Sequence, residues 1–123
     1  MTILEAVHKI DTVKPNSYTQ SEKIKWLSTI DGIIKSEIID THEDGENVVY
    51  EGYDDESNLD TELLAPAPYD DLYIRWLEAR IDYANGEYKK YNNSIIAYND
   101  AYSLFANHYN RHHMPKGNKF KFF

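Results

Sequence analysis

Apolar residues recur at three- and four-residue intervals along four stretches of the chain, and between the second and third that period disappears. Ile3, Leu4, Val7 and Ile10 open the first stretch, and Thr2 with Glu5 has capping-box spacing. A short helix is predicted there, ended near Val13 by Lys14-Pro15-Asn16-Ser17. Thr19 with Glu22 repeats the start signal. Ile24, Leu27, Ile30, Ile34 and Ile38 then form an apolar stripe, with Lys23, Lys25, Lys35 and Glu37 largely off it. The second helix is expected over residues 20–40, tolerating Gly32 at a cost of about 1 kcal/mol relative to alanine.

Residues 41–67 carry no helical period. Val48-Val49-Tyr50 after the Asp44-Gly45 turn reads as a short strand, with residues 61–64 able to pair with it as a small hairpin. Pro66 and Pro68 then lead into a third helix with Asp70 and Asp71 in its first turn, where carboxylates suit the dipole. Leu72, Tyr73, Trp76, Leu77, Ala79, Tyr83 and Ala84 cover more than half of its circumference, which predicts the most buried helix. Asn85-Gly86 breaks it. A fourth helix is expected from Asn92, with Ile95, Tyr98, Tyr102, Phe105 and Tyr109 on one face, ending before Met114-Pro115. Two long helices joined by a short link should lie antiparallel. The fold class is therefore all-α: one four-helix domain over residues 1–113, with a small extended acidic insertion at 41–67 and a tail at 114–123.

The length of 123 residues suits one compact domain, and 41% apolar with 14% aromatic residues suffices for a core. The absence of cysteine excludes disulfide scaffolds, thiolate metal sites and cysteine nucleophiles. No apolar run approaches the length of a bilayer span, and the start lacks a basic-then-apolar leader pattern, so a soluble protein made in the cell and not bound to membranes is expected. Net charge is −8, unevenly placed: residues 36–74 hold 13 acids and no Lys or Arg, while residues 111–123 hold Arg111, Lys116, Lys119 and Lys121 and no acid. An acidic chain is a poor general DNA binder. The acidic middle reads either as a solvated loop or as a surface attracting a different neighbour from the basic tail, copies of the same chain included.

Asp40, Asp44, Gly45 and Glu51 fall on positions of a twelve-residue calcium loop, but His42 stands at a ligand position and no helix follows; an acidic turn is the simpler reading. His108 and His112 share a helix face at the spacing of a zinc-protease helix, without the glutamate base or a third ligand. Carboxylate pairs such as Asp54-Asp55 and Asp70-Asp71 sit where water would keep them ordinary, and neither a phosphate loop nor a nucleophile elbow is present. No enzyme, cofactor or metal centre is expected. The 11 tyrosines read as core residues with a polar tip at the rim, some at half-wet contacts. In the tail, Lys119-Phe120-Lys121-Phe122-Phe123 alternates charged and aromatic residues, which suits either a frayed end or an extended strand added to a partner.

The run Leu63-Leu64-Ala65-Pro66-Ala67-Pro68-Tyr69-Asp70-Asp71-Leu72-Tyr73, followed by Trp76-Leu77-Glu78-Ala79, resembles the small helical head–tail connector (adaptor) proteins of tailed phages and prophages. Ile81-Asp82-Tyr83-Ala84-Asn85-Gly86-Glu87-Tyr88, Lys90-Tyr91-Asn92-Asn93-Ser94 and Phe105-Ala106-Asn107-His108-Tyr109-Asn110-Arg111 continue the likeness, as do Thr2-Ile3-Leu4-Glu5-Ala6, Lys14-Pro15-Asn16 and Trp26-Leu27-Ser28. These are packing and turn residues. The resemblance implies an all-α domain that forms a ring of about twelve copies on the portal protein. The ring would extend the DNA channel, with DNA only as non-specific cargo, and dock a downstream connector, stopper or tail-completion protein. The implied location is the head–tail interface of the virion, after synthesis in the bacterial cytoplasm. The resemblance assigns portal contact to the tail, with Lys116, Lys119, Phe120, Lys121, Phe122 and Phe123 as candidate interface residues. Glu43, Asp44, Glu46, Val48, Val49, Tyr50 and Glu51 are the candidate channel or subunit-contact loop. It offers no catalytic or metal residue. The rival reading is an acidic helical inhibitor that mimics nucleic acid.

Overall fold

Two capping boxes set where the chain turns helical. Thr2 Oγ1 accepts from the Glu5 amide at 3.1 Å while the Glu5 carboxylate accepts from the Thr2 amide at 2.8 Å, and Thr19 and Glu22 make the same reciprocal pair. The computed structural model describes residues 1–117. Among them it is all-helical: α1 (Ile3–Val13), α2 (Gln20–Glu37), α3 (Asp71–Ala84) and α4 (Tyr88–His112), with 3-10 turns at Ile39–Thr41 and Gly45–Asn47 and no strand.

The third helix packs against each of the other three, as its broad apolar face requires. Leu72, Tyr73, Leu77 and Ile81 are fully buried, against Ile3, Ala6 and Ile10 of α1, Leu27, Ile30 and Ile34 of α2, and Phe105 of α4 in one core cluster. Trp76 stacks on Tyr98 with centroids 5.0 Å apart, and its indole N–H donates to the Trp26 carbonyl at 2.8 Å. From the loop toward the other end, Asp82 meets Ser94, Trp76 meets Tyr98, and Tyr69 meets Phe105. The numbers fall on one side as they rise on the other, so α3 and α4 run back along each other.

Five expectations need correction. The second helix ends at Glu37 and tightens into a 3-10 turn, because the chain must turn to bury Ile39 and His42. The fourth helix begins at Tyr88, one turn before Asn92; its polar first turn carries no apolar period but holds a Glu87–Lys90 ion pair. Tyr83 and Ala84 are exposed, and Tyr83 packs edge-on against Tyr88 and Tyr91 at the surface rather than in the core. Lys23 lies on the buried face of α2, its ammonium held by Asp11 and the Tyr18 carbonyl, each at 2.7 Å. Finally, Val48-Val49-Tyr50 forms no strand and no hairpin closes. Residues 61–63 pair instead with the chain start, Ile3 N–H donating to Thr61 O and Leu63 N–H to Met1 O.

Candidate functional site

The candidate loop is ordered although it has almost no regular structure, and the cause is a carboxylate on α2. Asp31 is fully buried and accepts from the Tyr53 hydroxyl at 2.5 Å, the Tyr73 hydroxyl at 2.5 Å and the Leu64 amide at 3.0 Å. Those three donors come from the acidic segment, from α3 and from the segment leading into α3. Tyr73 in turn accepts from the Ala65 amide at 2.7 Å. Burial pushes the Asp31 carboxyl above its ordinary range and the three donors only partly pull it back. The same environment raises the Tyr53 and Tyr73 hydroxyls, first by burial and then by the nearby Asp31 charge. The three groups thus form one buried hydrogen-bonded cluster joining α2, the acidic segment and α3.

One turn earlier on α2, Ser28 adds a second anchor. Its hydroxyl accepts from the Tyr53 amide at 3.0 Å, and its carbonyl accepts from the Tyr50 hydroxyl at 2.5 Å. Residues 50–53 are thus laid back along α2, with Tyr50 passing over Gly32. At the front of the loop, Gly45 fits where a Cβ would come within 2.2 Å of the Ile39 carbonyl oxygen, so only glycine closes that turn.

With its tyrosines and leucines turned inward, the segment turns its acids outward. Of the 13 carboxylates in residues 36–74, all but Asp70 are exposed. Glu43, Glu46, Glu51, Asp54, Asp55, Glu56 and Asp60 form no ion pair among the described residues. Within the candidate loop, Val48 packs on the core edge, Val49 is 79% exposed, and Tyr50 is half-buried. Asp40 is taken by Lys35 and Asp44 by His113 at 2.7 Å, while His42 points into the core. The calcium-loop side chains are therefore dispersed to separate partners, and no group of three His, Asp or Glu among the described residues is placed to hold a metal.

The base of the tail meets the front of this loop. Glu43 N–H donates to the Met114 carbonyl at 2.8 Å and Lys116 N–H to the Thr41 carbonyl at 2.9 Å, an antiparallel bridge centred on His42 and Pro115. Beneath it His42 sits with Nδ1 2.6 Å from the Ile38 carbonyl and Nε2 2.9 Å from Asn110 Oδ1. His113 stacks on Tyr109 at 3.7 Å and holds Asp44, whose carboxyl that hydrogen bond draws below its usual range. Of the predicted site residues, Lys116 is thus brought opposite Thr41, and Glu43 opposite Met114. Lys119, Phe120, Lys121, Phe122 and Phe123 lie outside the described residues. His108 and His112 lie with ring centroids 4.3 Å apart, and His108 stacks on Tyr69 at 4.4 Å. Desolvation of the His108 ring, then its cationic neighbours, holds it below the ordinary imidazole range.

Asp31 was not singled out by sequence reasoning, yet a signal was there. It stands four residues after Leu27 and three before Ile34, on the buried stripe. A carboxylate at such a position needs donors, and tyrosines in the following segment can supply them. No helix among the described residues is long and apolar enough to cross a membrane. Comparison of the chain with protein-family models, with curated proteins and with solved structures finds no match.

Proposed function

We propose that this chain is a structural, non-enzymatic head–tail connector (adaptor) of a tailed phage or prophage. Copies assemble as a ring of about twelve on the portal protein, extend the DNA channel and dock the next connector, stopper or tail-completion protein. The observation that carries the reading is the ordered acidic segment. Its polypeptide is fixed from within by Asp31 and Ser28, while seven unpaired carboxylates face away from the domain. A rigid acidic rim suits a passage through which DNA must slide without sticking, since like charges oppose phosphate contact. Four buried polar residues support the same reading, because Lys23, Asp31, His42 and Asp82 are each occupied in holding elements together.

In this reading the tail grips the portal from a defended exit point. Lys116 is tied by its backbone to Thr41, in the 3-10 turn that follows α2. The deciding experiment mixes the purified chain with the portal ring encoded in the same genome, followed by co-sedimentation and negative-stain imaging. A collar on the portal is the expected result. Failure to bind a competent, DNA-filled head overturns it. Deleting residues 117–123 should abolish portal binding and leave the melting temperature nearly unchanged.

The same outward carboxylates also favour a second reading, an acidic inhibitor that mimics nucleic acid. That protein would bind a basic nucleic-acid-binding partner with an affinity that falls steeply with salt. A ring in which residues 43–62 face outward would remove the channel role of the loop.

A further inference from the structure

The aromatic patch at the α3–α4 turn holds a cation without an anion. The Arg80 guanidinium sits among three rings, its carbon 4.8 Å from the Trp76 centroid, 5.3 Å from Tyr83 and 6.0 Å from Tyr91. Its Nε is buried and donates to nothing. Among the described residues Arg80 forms no ion pair, whereas Arg75, one and a half turns earlier, holds both Asp71 and Glu78. A solvated surface lysine can do without a partner at little cost, but a guanidinium with a desolvated N–H cannot. Around it, Tyr83 and Tyr88 are 51% and 60% exposed, and Tyr83 packs edge-on against both Tyr88 and Tyr91. Arginine, tryptophan and tyrosine gathered at an exposed site are the residues that dominate binding energy at protein contacts.

The chain also supplies the complementary group. Asp54, Asp55 and Glu56 form its one run of three consecutive acids, at an exposed turn. The turn is preformed: Asp54 Oδ1 accepts from the Glu56 amide at 2.9 Å, and Asp54 O accepts from the Ser57 amide at 3.1 Å. Asp55 is steadied by the Ser21 hydroxyl at 3.0 Å, and the Glu56 carboxylate has no partner among the described residues. Tip and patch do not meet within one copy. We propose that the Arg80–Tyr83–Tyr88 patch receives the Asp54-Asp55-Glu56 tip of a second copy, with a carboxylate pairing with the terminal guanidinium N–H groups, which make no hydrogen bond among the described residues. Where the patch and the tip of one copy engage different neighbours, the contact is head-to-tail and repeats from copy to copy, closing into a ring when the rotation permits. It deepens the connector reading by naming the contact between neighbours, and it rests on that reading for the ring but not for the contact.

The test uses the full chain and two charge reversals, Arg80→Glu and the pair Asp55→Lys with Glu56→Lys, each first shown to melt near the parent. Self-association is measured by sedimentation velocity over a concentration series, and ring formation on the portal by negative stain. Each reversal should weaken self-association by about thirtyfold, the loss expected for one hot-spot group. Mixing the two reversed chains should restore assembly as alternating copies, since both junctions between unlike chains again pair opposite charges. Combining both reversals in one chain should restore assembly, and Arg80→Lys, which keeps charge but not the flat fork, should not match the parent. If Arg80→Glu assembles like the parent, the contact is overturned while a parental collar on the portal keeps the connector reading. If the parent ignores the portal yet self-associates through Arg80, the connector reading fails and the contact stands. A parent that neither self-associates nor forms a ring on the portal overturns the contact.

Discussion

The α3–α4 hairpin and the acidic segment that precedes it are both ordered, but by different means. The hairpin is held by side chains that repeat at helical intervals and meet across a continuous apolar seam, from Tyr98 against Trp76 to Phe105 against Tyr69. The acidic segment has no such seam. It is pinned at separate points, by Asp31 to Tyr53 and Leu64, by Ser28 to Tyr50 and Tyr53, and by residues 61–63 to the chain start. Packing distributes stability over many weak contacts, whereas pinning concentrates it in a few polar ones. The difference predicts that single substitutions will loosen the two regions separately.

The largest effect is expected in the seam. Trp76→Ala should cost roughly 3–5 kcal/mol in denaturant unfolding, since it removes the Tyr98 contact and leaves the Trp26 carbonyl without its indole donor. A negligible change would refute the central place of α3. Next comes Asp31→Ala, which strands two hydroxyls and an amide and should cost about 2–3 kcal/mol. Its signature is regional: hydrogen exchange should speed at residues 48–65 while the α3–α4 hairpin keeps its protection. Uniform acceleration would mean that Asp31 belongs to the core as a whole. Gly45→Ala should cost about 1–3 kcal/mol and free the turn against Ile39, because the clashing atom is backbone and cannot rotate away. Thr19→Ala, which removes one capping oxygen, should cost about 1 kcal/mol and leave both regions alike.

The smallest expected effect is a pH dependence with opposite signs. The folded Asp31 pKa lies above its ordinary 3.8, so the folded state holds this proton longer and its contribution declines as pH rises through that window. Asp11 and Asp44 are lowered on folding, Asp11 by hydrogen bonds from Lys23 and Asn16 that outweigh its burial, and Asp44 chiefly by His113. Their contributions are complete above the unfolded value and are lost as pH falls through the folded one. The stability of the parent relative to Asp31→Asn should therefore fall as pH rises above the ordinary carboxyl value of 3.8. A parent that gains on the variant over that range would reverse the sign given to burial.

The contrast also explains what could be read beforehand. Caps and apolar period are local, so α1, the start of α2 and the buried face of α3 were legible from Thr2, Thr19 and the Leu72–Leu77 spacing. Pinning is not local. Nothing near Thr61 announces that its carbonyl receives the Ile3 amide rather than pairing with residues 48–50. Burial of Lys23 was hidden because its charge argued for water, although its place four residues before Leu27 argued for the core. Arg80 was similarly silent, since its value depends on Tyr91 arriving from the next helix. The loop residues Glu43, Asp44, Glu46 and Glu51 were legible as exposed acids, but the order of their backbone was not.

One last consequence lies in timing. The bridge between residues 41–43 and 114–116 joins segments remote in sequence, as the 68-residue separation of His42 and Asn110 shows. The α3–α4 hairpin closes over a short link and the capped helices start locally, so this long-range clasp is expected to form after them. Its opening would release the last turn of α4 and the residues beyond it without disturbing Leu77 or Ile30. The chain thus has a latch whose strength can be set independently of the domain that carries it.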